Sequence, residues 1–337
     1  MPDLLADLTT LRLGGPAART VTVASADELV DAVQTADAAG EPVLVVGGGS
    51  NLVVADAGWP GAVIVIRSEG IGWTGLGDRV SVTAQAGVVW DDLVAITVRE
   101  GWSGLAPMSG IPGLAGATPI QNVGAYGSEV ADVISTLTVL DRRTGAVERW
   151  DPDRCGFGFR TSAFKHTDRY VVLDVTFELV RSELSGPVRY LELARRLGVE
   201  PGEQVALARM REVVLDLRRS KGMLLDAVDH DTWSVGSFFV NPFVEPGLVP
   251  DGCPHWVVDE QVKLSAAWLI ENAGFGKGFS GGREHVSVST KHTLALTNRG
   301  GATTAELLDL AAEIRTGVQA RFGVTLRPEA HLAGVTL

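Results

Sequence analysis

The chain has 337 residues, of which 45% are hydrophobic and 21% charged, as in folded globular proteins and unlike disordered or fibrous chains. At about 150 residues per domain, this length predicts two or three domains. Lysine and arginine number 29 and aspartate and glutamate number 41, so the formal charge of −12 argues against nucleic acid or an anionic membrane as a partner.

The expected cellular compartment follows from a search for targeting segments and from the number of cysteines. No stretch reaches the roughly 18 apolar residues of a membrane helix, and the N-terminus is acidic where a signal peptide would be basic. The two cysteines, Cys155 and Cys253, fit a reducing compartment rather than a disulfide framework. We therefore expect a cytoplasmic protein without membrane insertion.

The first predicted elements alternate between strand and helix. Residues 20–24 have the apolar–polar alternation of a strand, and residues 62–66 indicate a buried strand. Between them, Ser25 and Glu28 have the spacing of a capping box, which predicts a helix that stops at Gly40. The apolar face of this helix comprises Leu29, Val33 and Ala36.

A glycine loop follows the next apolar strand, VLVV, and completes a βαβ pattern with a ligand loop at the carboxyl end. Its residues are Gly47, Gly48, Gly49, Ser50 and Asn51. Successive backbone N–H groups in such a loop can bind an anion, although a tight turn is the alternative. The loop lacks the Gly-Lys-Ser/Thr ending of a phosphate loop, which argues against nucleoside triphosphate hydrolysis.

The middle of the chain predicts antiparallel strands. Residues 79–86 and 171–180 alternate, and residues 136–150 predict a hairpin that turns at Thr144 and Gly145. Asp91 is expected to open a short helix after the first of these strands. This block therefore differs from the βαβ pattern that precedes it.

A second glycine-rich segment, residues 104–132, is long enough to predict a binding loop. The centre of this segment could lie against a flat heterocycle, although an irregular connector is the alternative. The candidate binding residues are Pro119, Gln121, Asn122, Gly124, Ala125 and Gly127. Two such loops imply a large dinucleotide. Residues 1–154 contain no His and no Cys, so chemistry in this half must come from a cofactor, and we expect no metal.

The last part of the chain changes character near residue 183, where we place a domain boundary. Residues 204–219 have helical periodicity, with basic residues expected on the outer face. Strands are expected near 284–298. Thr303 and Glu306 form a capping box that predicts a helix over 304–321.

Three side chains are candidates for chemistry. Arg160 lies among aromatic residues and glycine, where a rigidly held guanidinium can neutralise an oxyanion, although an ordinary surface arginine fits equally. Ser237 has no apparent His–Asp partner, which favours a proton-relaying serine over a triad nucleophile. Glu329 lies in an apolar tail, and a lone carboxylate there is usually solvated.

Ordered motifs along nearly the whole chain resemble those of the UDP-N-acetylenolpyruvoylglucosamine reductase (MurB) family, flavoenzymes of bacterial peptidoglycan precursor synthesis. These motifs are TTLRLGGPA (9–17), VGGGSNLVVAD (46–56), PIQNVGAYG (119–127), CGFGFRTSAFK (155–165), GSFFVNP (236–242), KLSAAWLI (263–270) and RPEAHL (327–332). PIQNVGAYG and GSFFVNP are the most specific among them.

The resemblance implies an α+β chain that begins with a vanillyl-alcohol-oxidase (PCMH)-type FAD-binding domain, residues 1–182. This domain would consist of two α/β subdomains, about 1–70 and 71–182. A smaller α+β substrate-binding domain, residues 183–337, would follow, with its C-terminus returning to the active site. FAD would be bound non-covalently, in agreement with the absence of His from the N-terminal half.

The resemblance also implies the reaction. NADPH would reduce FAD and leave, and UDP-N-acetylglucosamine enolpyruvate would then enter the same cleft and be reduced to UDP-N-acetylmuramate. Arg160 and Glu329 would stabilise the enolate-like intermediate, and Ser237 would protonate it. The two glycine loops would bind FAD.

Substrate binding would fall to Tyr190, Lys221, Asn241 and Lys277 by motif position. Tyr190 assigns the chain to the long subtype of the family, in which a tyrosine-bearing loop folds over the nucleotide. Phe159 departs from the family's usual tyrosine, and the family suggests a monomer. A related flavin oxidase and a non-catalytic flavin-binding protein remain the alternatives.

Overall fold

The computed structural model describes residues 3–337. The α-helices are α1 (Ala26–Ala38), α2 (Trp90–Arg99), α3 (Leu191–Leu197), α4 (Leu207–Ser220), α5 (Ala266–Asn272) and α6 (Thr304–Phe322). Short 3₁₀ helices are Leu5–Leu8, Ala106–Met108, Ala115–Ala117, Val130–Asp132, Pro152–Cys155, His230–Thr232 and Pro246–Leu248. None of the helices described in residues 3–337 is long and apolar enough to cross a membrane.

The strands are short in the N- and C-terminal parts and longer in the middle. They are β1 (Ala17–Val23), β2 (Val43–Val46), β3 (Leu52–Val54), β4 (Trp59–Ile66), β5 (Ile71–Leu76), β6 (Arg79–Gln85), β7 (Trp102–Ser103), β8 (Gly124–Ala125), β9 (Ser128–Glu129), β10 (Ile134–Asp141), β11 (Ala146–Trp150), β12 (Tyr170–Arg181), β13 (Phe243–Val244), β14 (His255–Val258), β15 (Gln261–Leu264), β16 (Val286–Val288), β17 (Leu296–Asn298) and β18 (His331–Ala333).

The chain divides into two compact units that are discontinuous in sequence. Unit 1 comprises Met1–Ala17, Gly49–Trp59 and Lys221–Leu337, and unit 2 comprises Ala18–Gly48 and Pro60–Ser220. This division by contacts differs from the predicted domains, 1–182 and 183–337, which stay a prediction. The discontinuity arises because the segment after the first glycine loop packs with the C-terminal part of the chain.

Unit 2 contains two sheets. One has the strand order β1–β4–β2, with β2 and β4 parallel. The other has the order β11–β10–β12–β6–β5 with antiparallel neighbours, and β7 pairs with β12. The predicted hairpin is confirmed, since Asp141 pairs with Ala146 across a turn that contains Thr144 and Gly145. The predicted contrast between a parallel block and an antiparallel block is confirmed too.

The helix predicted after Ser25 is confirmed as α1, with its predicted apolar face buried. The capping box was only half right. The Ser25 hydroxyl accepts a hydrogen bond from the Glu28 N–H at 3.1 Å, but the Glu28 carboxylate accepts from the Ala24 N–H instead of from Ser25. The carboxylate therefore reaches one residue further back than a capping box requires.

Two expectations about charged residues in unit 2 were right only in part. The short helix expected to open at Asp91 is confirmed as α2, which begins one residue earlier and has Asp91 in its first turn. The Asp91 carboxylate accepts two hydrogen bonds from Arg211, at 2.6 and 2.8 Å, and one from the Gly110 N–H. The predicted helix over 204–219 is confirmed as α4, but Arg218 is buried rather than on an outer face. The positions of Asp91 and Arg218 are therefore determined by tertiary contacts, which the local sequence pattern does not contain.

Unit 1 is built around one apolar core, to which α5, α6, β16 and β17 contribute. The predicted Thr303–Glu306 capping box and the helix that follows it are confirmed in α6. The strands expected near 284–298 are β16 and β17, which pair antiparallel. β18 pairs parallel with β3, so the C-terminal tail lies beside the segment that follows the first glycine loop.

Candidate active site

The first glycine loop makes close backbone contacts. In unit 2, a Cβ atom on Gly48 would lie 2.8 Å from Gly113 Cα, and one on Gly47 would lie 3.3 Å from Leu114 Cδ1. The loop thus lies against residues 113 and 114 of the second glycine-rich segment, at a separation that a side chain on Gly48 would prevent.

In unit 1, Gly49 has a φ of +59° and its carbonyl accepts a hydrogen bond from the Thr10 N–H at 3.2 Å. A Cβ there would lie 1.9 Å from Leu8 O. Asn51 continues the loop beside the C-terminal tail, because its carbonyl accepts from the His331 N–H at 2.9 Å and its side chain donates to Glu329 O at 3.4 Å.

We expect Gly49→Ala to lower the free energy of unfolding by about 3 kcal/mol or more, from left-handed backbone strain and overpacking together. Gly40→Ala is the matched control, because Gly40 also has positive φ (+66°) but nothing lies within 4 Å of its Cβ position. The control should lose only the strain, about 1–2 kcal/mol. Urea unfolding measures both values, and equal losses would show that the Leu8 contact is unimportant.

Asn122 is the structural centre of the second loop. It is buried with φ of +45°, a conformation that asparagine tolerates better than most residues. Its side-chain amide donates to Glu129 Oε2 at 2.7 Å and to Gly158 O at 3.1 Å, while its Oδ1 accepts from the Ala131 N–H at 3.1 Å. Asn122 therefore ties the loop to the turn that carries Arg160.

Arg160 is held by backbone carbonyls of the same loop. Its guanidinium donates to Asn122 O at 3.3 Å and to Gly124 O at 2.6 Å. A Glu129 carboxylate oxygen lies 4.0 Å away, and Lys165 donates to Arg160 O at 3.0 Å. With its side chain 21% exposed, the guanidinium is a fixed cation in a partly desolvated place, where charge is worth more than in water.

The other predicted residues of this loop lie around the same framework. Pro119 O accepts from the Asn122 N–H at 3.2 Å, and Gln121 is partly exposed. Gly124 and Ala125 form β8, which pairs with β9. Gly127 has positive φ, and a Cβ there would lie 3.8 Å from the Tyr190 backbone nitrogen. Unit 2 thus brings the second loop and Tyr190 together.

Tyr190 precedes α3 and is 42% exposed. Its ring meets the Tyr126 ring edge-on, with centroids 5.6 Å apart. Burial raises the pKa of Tyr126 to about 12, against the opposing influence of the nearby Arg218 charge. Tyr126 is thus a partly buried ring that packs against the more exposed ring of Tyr190.

The raised pKa of Tyr126 predicts how the protein titrates in alkali. The chain has three tyrosines, and we expect one of them to resist ionisation up to about pH 12. Because the folded form keeps this proton when the unfolded form has lost it, stability should fall as pH rises from the ordinary tyrosine pKa, about 10, toward that value. Absorbance at 295 nm of wild type and Tyr126→Phe tests this, since the substitution should remove the last transition.

In unit 1, Ser237 and Glu329 lie on two antiparallel segments. The Glu329 N–H donates to Phe238 O at 2.8 Å, and the Val240 N–H donates to Arg327 O at 3.1 Å. Phe238 and Phe239 are buried, whereas Ser237 and Glu329 are partly exposed. This pairing sets Glu329 opposite Phe238, the neighbour of Ser237, so it holds together the two segments that carry the hydroxyl and the carboxyl group. The Asn51 side chain of the first loop donates to the Glu329 carbonyl.

The remaining predicted residues of unit 1 lie on separate loops. Asn241 Oδ1 accepts from the Ala266 N–H at 3.0 Å, so this side chain caps the start of α5. Lys277 is exposed in the loop after α5, and Lys221 is partly exposed and precedes Gly222.

Sequence reasoning missed Glu129 and Lys165, which contact Asn122 and Arg160. Both had a signal: Glu129 follows the PIQNVGAYG motif by two residues, and Lys165 is the last residue of CGFGFRTSAFK. It also missed the pairing of Tyr126 with Tyr190, for which no sequence signal exists beyond the aromatic residues themselves.

Residues 17–151 match the FAD binding domain family, and residues 227–333 match the C-terminal domain of UDP-N-acetylenolpyruvoylglucosamine reductase. A reductase of that name from Thermobifida fusca is 54% identical over 99% of this chain and 97% of its own. The reductase from Salinispora arenicola is 55% identical over 99% of this chain and 95% of its own length.

A crystal structure of UDP-N-acetylenolpyruvylglucosamine reductase (MurB) from Thermus caldophilus covers 99% of this chain and 98% of its own, with 27% identity and a TM-score of 0.68. The expected fold class, an FAD-binding domain followed by a distinct C-terminal domain, is thereby confirmed.

Proposed function

The chain belongs to the UDP-N-acetylenolpyruvoylglucosamine reductase (MurB) family, and we propose how its side chains divide the reaction. The enzyme reduces the enolpyruvyl ether of UDP-N-acetylglucosamine to UDP-N-acetylmuramate with NADPH and FAD, a step of peptidoglycan precursor synthesis. The hydrogen-bonded pairing of the Ser237 and Glu329 segments supports the proposal most directly.

FAD fits the two glycine loops. Gly48 lies against Gly113, so the two loops are held side by side, and backbone N–H groups of glycine-rich loops are suitable donors for a diphosphate. The proposed FAD-binding residues are Gly47, Gly48, Gly49, Ser50, Asn51, Pro119, Gln121, Asn122, Gly124, Ala125 and Gly127. These residues would hold FAD, which would supply the hydride that reduces the methylene carbon of the substrate.

Arg160 is proposed to neutralise the charge that then develops on the substrate. Hydride addition to the methylene leaves an enolate-like anion on the adjacent carbon and carboxylate. A planar guanidinium suits a carboxylate, and its anchoring on Asn122 O and Gly124 O means that little reorganisation is needed during the reaction.

Ser237 is proposed as the proton donor. A serine hydroxyl is a weak acid in water, but an enolate is a strong base, and a closed site keeps competing water away. Glu329 is proposed to act beside it on the same intermediate.

Tyr190, Lys221, Asn241 and Lys277 are proposed to bind the sugar nucleotide. Lysine ammonium groups, a phenol and an amide are suitable donors for diphosphate oxygens. Tyr190 is exposed, as a residue that folds over a bound nucleotide would be. We further propose that the enzyme is a cytoplasmic monomer.

Anaerobic stopped-flow absorbance tests the proposed function. The purified enzyme is reduced with NADPH and mixed with UDP-N-acetylglucosamine enolpyruvate while the flavin band is followed. Rapid return of the band is the expected result. A flavin that this substrate fails to reoxidise, but that oxygen reoxidises, would favour the related oxidase, and a protein that binds no FAD would overturn the proposal.

A further inference from the structure

A buried carboxylate in unit 1 has no part in the reaction described above. Asp231 is 4% exposed. Its side chain accepts hydrogen bonds from the Thr290 N–H at 2.9 Å, from the Thr290 hydroxyl at 2.5 Å and from the Arg299 guanidinium at 3.0 Å. A buried charge is tolerated only when it is paired in this way, so the position of Asp231 is strongly determined.

The groups that hold Asp231 come from the two ends of one hairpin. Thr290 follows β16 and Arg299 follows β17, and the two strands pair directly. Burial alone would raise the pKa of Asp231, but hydrogen bonds from Thr290 and Ser289 and the charge of Arg299 bring that pKa below its ordinary value. The group is therefore a carboxylate at neutral pH.

Asp231 also supports the backbone next to Lys221. Gly222 has a φ of +64°, and a Cβ there would lie 3.1 Å from Asp231 O and 3.2 Å from Asp231 Cβ. Gly222 thus lies directly on Asp231. Lys221 is the residue before Gly222. The position of the Lys221 Cα atom therefore depends on the position of Asp231.

The loop between Gly222 and Ser237 is closed by its own hydrogen bonds. The Thr232 hydroxyl donates to Asp226 O at 2.7 Å and lies 2.8 Å from Asp229 O, and the Asp231 N–H donates to Asp229 Oδ1 at 3.0 Å. The Trp233 carbonyl accepts from the Asn298 N–H at 3.0 Å. Within this loop, Asp231 is the buried charged residue that attaches to the hairpin, whereas the Asp229–Lys291 ion pair to the same hairpin is partly exposed.

We propose that Asp231 is a positioning residue for substrate binding, which fixes the backbone at Gly222 and thereby aims Lys221 at the substrate diphosphate. The inference rests on the proposed role of Lys221. A lysine ammonium is carried on a flexible stem, so a stable backbone origin limits the positions that it can reach. Misplacement by about 1 Å is enough to weaken a site of this kind substantially.

Steady-state kinetics of the full-length holoenzyme tests the proposal with Asp231→Asn. The amide keeps the size of the side chain but loses the ion pair with Arg299. We expect KM for UDP-N-acetylglucosamine enolpyruvate to rise about tenfold, which corresponds to a lost charge-assisted hydrogen bond, while kcat changes little. FAD content and its absorbance should equal those of the wild type.

A double-mutant cycle shows whether Asp231 acts through Lys221. If it does, Lys221→Ala combined with Asp231→Asn should have the KM of Lys221→Ala alone. Asp229→Asn is the matched control: it changes an aspartate of the same loop whose ion-pair partner, Lys291, is partly exposed. We expect its KM to stay within about twofold of wild type, as for most exposed ion pairs.

Three results would overturn the inference. A normal KM with only a lower Tm would make Asp231 a purely structural residue, and additive effects in the cycle would mean that it does not act through Lys221. Wild-type KM in Lys221→Ala would refute the proposed role of Lys221, and this inference with it. Arg299→Gln, which removes the same ion pair from the other side, should reproduce the KM effect even if Asp231→Asn does not fold.

Discussion

The Ser237→Ala enzyme is expected to be reduced by NADPH at the wild-type rate but to be reoxidised by the sugar-nucleotide substrate about 10²–10⁴-fold more slowly, the range that a positioned proton donor contributes. The two half-reactions differ because only the second produces a carbanion equivalent that must be protonated. Ser237 lies beside the Glu329 segment through the hydrogen bond between Glu329 N–H and Phe238 O. Its removal should leave this backbone pairing intact.

Anaerobic stopped-flow measurement of each half-reaction tests this prediction, and Ser237→Cys supplies the graded comparison. A thiol is a stronger acid than an alcohol, with a pKa of about 8.5, so Ser237→Cys should recover part of the lost rate. The NADPH half-reaction serves as the control for folding and for FAD binding. Normal reoxidation in Ser237→Ala would mean that another group delivers the proton.

Local sequence patterns predicted the helices well where the governing interactions are local. α1 and α6 are capped by Ser25 and Thr303, whose hydroxyls accept from N–H groups three residues on, and α1 buries its predicted apolar face. Capping and helical periodicity act over a few residues, so the sequence carries them directly.

Contacts distant in sequence could not be predicted in the same way. The parallel pairing of β3 with β18 joins Leu52 to His331, and it places part of the N-terminal region in unit 1. Arg211 and Asp91 form their ion pair across 120 residues. A helical wheel treats every arginine as a solvent-facing residue, and only the tertiary partner shows which ones turn inward.

In the candidate site, too, residue identities could be predicted from the sequence, whereas the contacts between distant segments could not. Motifs selected Arg160, Ser237 and Glu329, because residue identities are what a motif records. The backbone geometry that positions Arg160 could not be predicted from the sequence. The φ angles of Arg160 (+53°) and Asn122 (+45°) depend on the hydrogen bonds between the loop and the turn. The supporting residue Glu129 contacts both side chains and is recognisable only when the loop is folded.

The Arg160→Lys substitution is expected to slow reoxidation by the substrate about 10²–10³-fold, as loss of an anion-stabilising donor does in other enzymes. The charge is kept, so the prediction concerns geometry. The Arg160 guanidinium reaches Asn122 O and Gly124 O together, which fixes its plane. A lysine ammonium is a point charge on a flexible stem and cannot present two parallel donors to a carboxylate.

Arg154→Lys is the matched control, because Arg154 lies on the same segment but stacks on Trp150 and pairs with the partly exposed Glu148. Its reoxidation rate should equal that of the wild type, whereas Arg160→Lys should be slow at every substrate concentration. If Arg160→Lys kept the wild-type rate, positive charge alone would be sufficient for stabilising the enolate. The carbonyl contacts of Arg160 would then serve only to hold the loop together, and the role of a rigid guanidinium in the reaction would have to be abandoned.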